Sequence, residues 1–414
     1  MPDRPMFDPG LWGLTPREAE LAALCRRLGR ERFAPRAARY DREARFPTEN
    51  YRDLRAAGLL AICVPERYGG LGADYRAYMI AAAEIGRYCG ATALTFNMHV
   101  CSCLWTGDLA DDLDMTPEER EGHERRRRIH YRRIVEEGKI YAQPFSEGGP
   151  AAAGLRPFET TARRVDGGWI LNGRKIFASL AGNADYYGVL CTEVRGDGTP
   201  SRRDTLYLAV AADAPGVRVE GEWDPLGMRA TVSRDLHFTD VFVPEEEALM
   251  PPGVYHRAVL SWPHMFLTLT PTYLGLAQVA YDFTVAYLRG EAEGMPPVRR
   301  RMYPTKQLAV AQMHVMLEQA KALWFRAVSE ARRDPPKEAV MRAWAAQYTV
   351  METANELARL AIRTCGGQAM LEKFPLARIY RDSRCGSLML PWTAEICLDR
   401  LGRAALYEEG ETDD

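Results

Sequence analysis

Apolar residues recur at spacings of three and four from about residue 16 to 138, the period that gathers them on one face of an α-helix. The densest stretch, YMIAAAEIGRYCGATALTFNMHVCSCL at residues 78–104, is apolar on nearly every side, which predicts a buried helix or helix pair. The polar run at 107–138 carries Arg125, Arg126, Arg127, Arg128, Arg132 and Arg133. With Glu119 and Glu124 as partners it reads as a solvated helix face, as most charge runs do, in preference to a phosphate site. Between about 139 and 250 the pattern shortens to runs punctuated by Gly, Pro, Asp and Asn. TTARRVDGGWILNGRKIFAS reads as a strand, an Asp-Gly-Gly turn, a strand, an Asn-Gly turn and a strand; DTLYLAVAA and DLHFTDVFVP add two more. After Pro251 and Pro252 the helical period returns in three long amphipathic segments, TYLGLAQVAYDFTVAYLRG, KQLAVAQMHVMLEQAKALWFRAVSEAR and AVMRAWAAQYTVMETANELARLAIRTCGG. Pro335 and Pro336 divide the second from the third. Arg299, Arg300 and Arg301, in the loop between the first two, read as a solvated run, with contact to an anionic ligand as the alternative.

These patterns predict an α+β chain in three parts: an N-terminal all-helical domain at 1–138, a small β-barrel or sandwich at 139–250, and a four-helix-type bundle at 251–414. The composition agrees, since 414 residues at 47% hydrophobic and 27% charged leave little room for disorder and enough chain for two or three cores. A net charge of -2, from 54 basic and 56 acidic residues, gives no general attraction to nucleic acid or to an anionic membrane. No apolar run reaches the roughly 20 residues that span a bilayer, and MPDRPMFDPG lacks the signal-peptide pattern, so the protein is read as cytoplasmic. Nine scattered cysteines read as reduced core residues. Cys101 and Cys103 lack a second pair at zinc spacing, and no metal is expected.

Four strings carry a resemblance: DREARFPTENYRDLRAAGLLAICVPERYGGLG from Asp41, NGRKIFAS from Asn172, DPLGMRATVSRDLHFTDVFVP from Asp224 and RTCGGQAMLEKFPLARIYRDSR from Arg363. In this order, over nearly the whole chain, they resemble the acyl-CoA dehydrogenase flavoprotein superfamily. The resemblance implies a homo-oligomer, a tetramer or a dimer, that holds a flavin between the β-domain and the C-terminal bundle. FAD is the expected flavin and FMN the less favoured one. An acyl thioester is the implied substrate, and an electron-transfer flavoprotein or a flavin reductase the implied redox partner.

Residue by residue, Ser146 in YAQPFSEGG stands where the family donates to the isoalloxazine edge. Phe177 would cover one flavin face, and Ser179 would donate toward N5. Gly366 and Gly367 match paired glycines that let a backbone approach the cofactor, often across a subunit boundary. Arg363, where a Gln usually precedes that pair, adds charge toward a diphosphate, and Thr393 matches a cofactor-contacting threonine. Arg229 is either the family's turn arginine at the site or a structural ion-pair partner. PAAAG at 150–154 replaces the family's Gly-Ser-Asp, and GMPPVRRRMYPTKQ shows no Arg-x-x-Phe-Gly.

The family's α-proton base is a glutamate, and its aligned position here falls on Leu390 or Pro391. The family's alternative position falls on Met265. None of the three accepts a proton. His264 and Glu395 are the ionisable neighbours and so the candidate bases; an imidazole has a suitable pKa of about 6.5. A one-residue offset on a helix turns a side chain by about 100°, so His264 also reads as a hydrogen-bonded core histidine. Three functions follow in order. The first is dehydrogenation of an acyl-CoA or acyl-carrier-protein thioester with a relocated base. The second is a flavin monooxygenase of the same fold, a branch that also lacks the glutamate. The third is a catalytically silent acyl- or flavin-binding scaffold.

Overall fold

The computed structural model describes residues 4–148, 156–196, 198–294, 296–390, 392–408 and 411, and it runs helices, sheet, helices in chain order. PAAAG at 150–154 and Pro391 lie outside the described residues. The first helical part comprises α1 (Pro9–Trp12), α2 (Pro16–Leu28), α3 (Ala34–Glu43), α4 (Thr48–Ala56), α5 (Tyr75–Gly86), α6 (Gly90–Thr106), α7 (Asp108–Asp111) and α8 (Pro117–Arg132). The strands are β1 (Tyr141–Ala142), β2 (Thr161–Val165), β3 (Gly168–Ala178), β4 (Tyr186–Val194), β5 (Thr205–Ala211), β6 (Val217–Glu220) and β7 (Arg234–Pro244). The last part comprises α9 (Val254–Ser261), α10 (Thr270–Arg289), α11 (Pro304–Ser329), α12 (Lys337–Cys365), α13 (Pro375–Arg384) and α14 (Ala394–Leu406).

The apolar segment at 78–104 folds as a helix pair, α5 and α6, both almost wholly buried. α5 crosses α10 backbone to backbone. A Cβ on Gly275 would stand 2.3 Å from the Arg87 nitrogen, and one on Gly86 would stand 2.7 Å from the Thr272 oxygen. Arg87 clasps the same crossing through Asp282 at 2.6 Å. Backbone cannot swing aside as a side chain can, so Gly275→Ala is expected to lower stability by about 1–3 kcal/mol, measurable by denaturant unfolding.

Two readings of the sequence are corrected here. Asn172-Gly173 is not a turn: β3 runs unbroken through it, and Gly173 takes φ 147 at a register shift against β7. A Cβ there would lie 2.6 Å from Thr160 Cα, so the glycine serves close strand approach rather than chain reversal. The arginine run of α8 is not wholly solvated either. Arg126 and Arg127 are buried, with Arg127 paired to Asp111 at 2.5 Å and to Glu124. Glu119 instead pairs with Arg257. Charge spacing along a helix does not disclose a partner that arrives from another element.

The strands form one curled sheet in the order β1-β4-β2-β3-β7-β6, with β5 on the free side of β4. Two polar clasps hold this sheet against the helices. Arg133 grips Glu247 through two bonds of 2.7 Å. At the Gly-Met-Arg turn, Met228 N–H donates to buried Asp382 at 2.6 Å, while Arg381 and Arg229 both reach Asp41, the latter through its carbonyl. Arg229 is thus a seam residue. Among the described residues no helix is long and apolar enough to cross a membrane.

Candidate active site

A crevice of about 480 Å³ opens where β3 and its flanking turns face α6 and the 3-10 segment Pro263–Leu269. Its sheet side carries Ser146, Gly148, Ile176, Phe177, Ser179 and Trp223. Its helical side carries Leu94, Asn97, Met98, Cys101 and Trp105, which α6 places on one face by their three- and four-residue spacing. Met265, Thr268 and Leu390 complete that side.

Phe177 has φ 50, a left-handed backbone that bulky residues rarely adopt, within the register irregularity that ends β3. Its ring is not core: the residue is 65% exposed and meets Trp223 edge to face at 6.0 Å. Strain of this kind persists where the surroundings enforce it, and it collects at ligand sites. Ser179 Oγ lies 2.8 Å from Ser233 Oγ, which lies 2.7 Å from Thr231 Oγ1, and Thr231 donates to the Met228 carbonyl at 2.9 Å. Because that carbonyl consumes the threonine proton, Ser233 must donate to Thr231 and Ser179 to Ser233. Ser179 is therefore left with lone pairs for a ligand, opposite to the donor role its position suggested.

Behind Ser146 a buried ion pair fixes the strand ends. The Glu147 carboxylate accepts from Lys175 Nζ at 2.7 Å and from the N–H groups of Glu159 and Thr160; the two side chains are 1% and 0% exposed. Lys175 also donates to the Leu190 carbonyl at 2.6 Å, and Ile176 N–H donates to the Ser146 carbonyl at 2.8 Å. Opposing pulls act on the lysine, whose pKa burial lowers and Glu147 raises, with burial the larger.

None of the described side chains lining the crevice is Asp, Glu, His, Lys or Arg. The lining thiols Cys101 and Cys385 are each pushed up to about 12 by burial, so they stay protonated at neutral pH. Met265 and Leu390, in two of the positions where a base would stand, are both at the wall.

Of the candidate cofactor and base residues expected from sequence, the structure brings Ser146, Phe177 and Ser179 together and leaves His264, Glu395, Arg363, Gly366, Gly367 and Thr393 outside the lining. His264 is buried outside the lining, with its ring against the Ala339 backbone, and burial lowers its pKa to about 4. Its carbonyl accepts from Tyr75 at 2.6 Å, which holds this turn against α5. Glu395 is exposed on the first turn of α14, where Thr393 is the N-cap, accepting from Ile396 N–H at 3.4 Å. Arg363 and Gly367 are exposed at the end of α12, and a Cβ on Gly366 or Gly367 would meet nothing within 4 Å. Sequence reasoning missed Asn97, Trp223, Ser233 and the Glu147–Lys175 pair. Only the lysine within an apolar strand carried a signal.

An aromatic-faced, uncharged slot with a few hydroxyls fits the flat ring of a flavin. Comparison with known proteins points the same way. Residues 15–107, 146–241 and 264–406 match the N-terminal, middle and C-terminal domains of acyl-CoA dehydrogenase. The mitochondrial short-chain specific acyl-CoA dehydrogenase of Mus musculus is 30% identical over 369 residues, covering 88% of this chain and 84% of that protein. Among solved structures, KijD3 in complex with FMN and a dTDP-linked 3-amino-4-keto sugar superposes with a TM-score of 0.79 at 27% identity, covering 97% of this chain and 96% of that one. A nitrososynthase from Micromonospora carbonacea var. africana superposes with a TM-score of 0.79 at 26% identity, covering 95% and 98%. With all three domains matched in order around a crevice that fits a flavin, this chain belongs to the acyl-CoA dehydrogenase family.

Proposed function

We propose that this protein is a flavin-dependent monooxygenase rather than a thioester dehydrogenase. The observation that carries the reading is the uncharged lining: removal of an α-proton needs an acceptor within hydrogen-bond reach, and none of the described lining residues supplies one. When bound in its reduced state, a flavin supplies the two electrons that divide O2, one oxygen atom entering the substrate and the other leaving with two protons as water. The chain's own part is to bind, orient and exclude water. Ser146, Phe177 and Ser179 would hold the ring, and the proton order from Ser179 to the Met228 carbonyl suits an N–H donor, which the reduced ring carries at N5. The bound FMN of the similar KijD3 agrees with a flavin here, and chromatography of the released cofactor against FAD and FMN standards identifies which one this chain takes.

A flavin reductase is then the redox partner. The open space at Gly366 and Gly367 is where a second subunit would close on the cofactor, in a cytoplasmic tetramer or dimer. The second reading, acyl thioester dehydrogenation with an electron-transfer flavoprotein as acceptor, is favoured by the mouse relative. Oxygen uptake that depends on NADH and a reductase, together with a flavin band unchanged by an acyl-CoA panel under nitrogen, is the expected result. Anaerobic bleaching by any thioester would establish the second reading instead, and neither response would leave the silent scaffold.

A further inference from the structure

The helical wall holds a polar group whose partner is missing. Asn97 borders the crevice and is 1% exposed. Its Oδ1 accepts from the buried Tyr78 hydroxyl at 3.0 Å and from the Cys101 thiol at 3.7 Å. Two donors converging on one atom orient the amide, and they leave Nδ2 as the remaining arm. Nδ2 has no hydrogen-bond partner. A buried N–H left in that condition carries a desolvation cost that a ligand oxygen would offset. The surroundings limit what can bring that oxygen. Leu94, Met98, Trp105, Met265 and Leu269 make the neighbouring wall apolar, and no cation among the described lining residues could receive a carboxylate or a phosphate. Trp223 Nε1, also without a partner, lies on the sheet side with Phe177.

We propose that Asn97 is a specificity-determining residue whose amide N–H donates to the acceptor oxygen of a neutral, compact, apolar substrate. Tyr78 is the positioning residue that holds the amide in the donating orientation. The proposal rests on the reading that flavin and substrate meet in this crevice, with the flavin on the sheet side. It deepens that reading by naming a substrate class: an uncharged ring or short chain carrying one carbonyl or ether oxygen.

The test is a binding titration without turnover. Flavin-loaded protein under nitrogen is titrated with 1-indanone and with indane, which differ by one carbonyl oxygen, and the shift of the flavin band is followed. Wild type is expected to bind 1-indanone about tenfold more tightly, the size of one satisfied buried donor. Asn97→Leu should reduce that preference to within twofold. The double variant Y78F/N97L, which leaves neither partner orphaned, should do the same and guards against a folding defect in the single one. Equal affinities in wild type, or a preference that survives in either variant, would overturn the role of Asn97 while leaving the crevice assignment intact. No shift with either ligand would overturn both.

Discussion

Taking the protein from pH 7 to pH 5 is expected to lower its folding stability steeply. Four histidines, His99, His123, His130 and His264, are buried in the folded chain. Burial lowers their pKa values to about 4, 4, 3 and 4, with nearby arginines adding to the effect at His123 and His130. His99 shows why neutrality is built in: Nε2 donates to the Leu60 carbonyl at 2.8 Å, and Nδ1 accepts from Tyr141 N–H at 3.0 Å, a bond that a second ring proton would abolish. The sign follows from the depressed folded values. Below pH 6.5 the unfolded chain takes up protons that the folded chain refuses, so stability present above 6.5 is lost as pH falls toward 4. Each histidine contributes about 2 kcal/mol of loss at pH 5, roughly 8 kcal/mol in all, against a typical net stability of about 5–15 kcal/mol. Asp382, Glu84 and Asp108 work the other way, since burial raises the pKa of each, that of Asp382 to about 6, and their protonation returns part of the loss. Urea unfolding at pH 7, 6 and 5 measures the slope. His264→Leu, which removes one of these buried neutral imidazoles, should make that slope shallower by about one proton. A stability unchanged between pH 7 and 5 would refute the assignment of four neutral histidines.

The second large effect is expected at the ion pair behind Ser146. Glu147→Ala strands the Lys175 ammonium inside the sheet, where the Leu190 carbonyl and the Phe158 ring at 4.4 Å are its remaining partners. Breaking a buried pair from one side costs about 3–5 kcal/mol, far more than an exposed pair would. The same change frees the turn that the carboxylate ties to Glu159 and Thr160, so the flavin should be released at lower denaturant concentration than in wild type. The double variant E147L/K175M, with no charge left to strand, should regain most of the folding stability. If the single and double variants unfold at the same urea concentration, the cost lies in lost packing and not in an uncompensated charge. Above the ordinary carboxylate range the pair is intact. Glu147 is held below that range mainly by Lys175 and its hydrogen bonds acting against burial, so its contribution fades only as the pH falls through that depressed value.

Much of the fold was legible from spacing. Three- and four-residue periodicity located α5, α6, α10, α11 and α12, because a helix that packs on one side must repeat its apolar positions with its turn. Short alternating runs located β2, β3, β5 and β7 for the equivalent reason in strands. Asn172-Gly173 misled because the same dipeptide serves a hairpin turn and a bulge, and only the neighbouring Thr160 decides which. Arg127 misled because its partner Asp111 reaches it from another helix.

At the site the division is sharper. Ser146, Phe177 and Ser179, expected at the flavin from the resemblance, all line the crevice. The proton order from Ser179 to Met228, the orphaned amide of Asn97 and the burial of His264 outside the crevice could not be read from the chain. By itself the chain determined the succession of helices and strands, which depends on each residue's near neighbours, and the absence of a glutamate at Met265 and Leu390. Tertiary structure alone decided which hydroxyl gives its proton to which, which charges are paired, and which side chains reach the crevice, because those outcomes depend on atoms that separate elements bring together, as they do Ser179 and Ser233 across 54 positions of the chain.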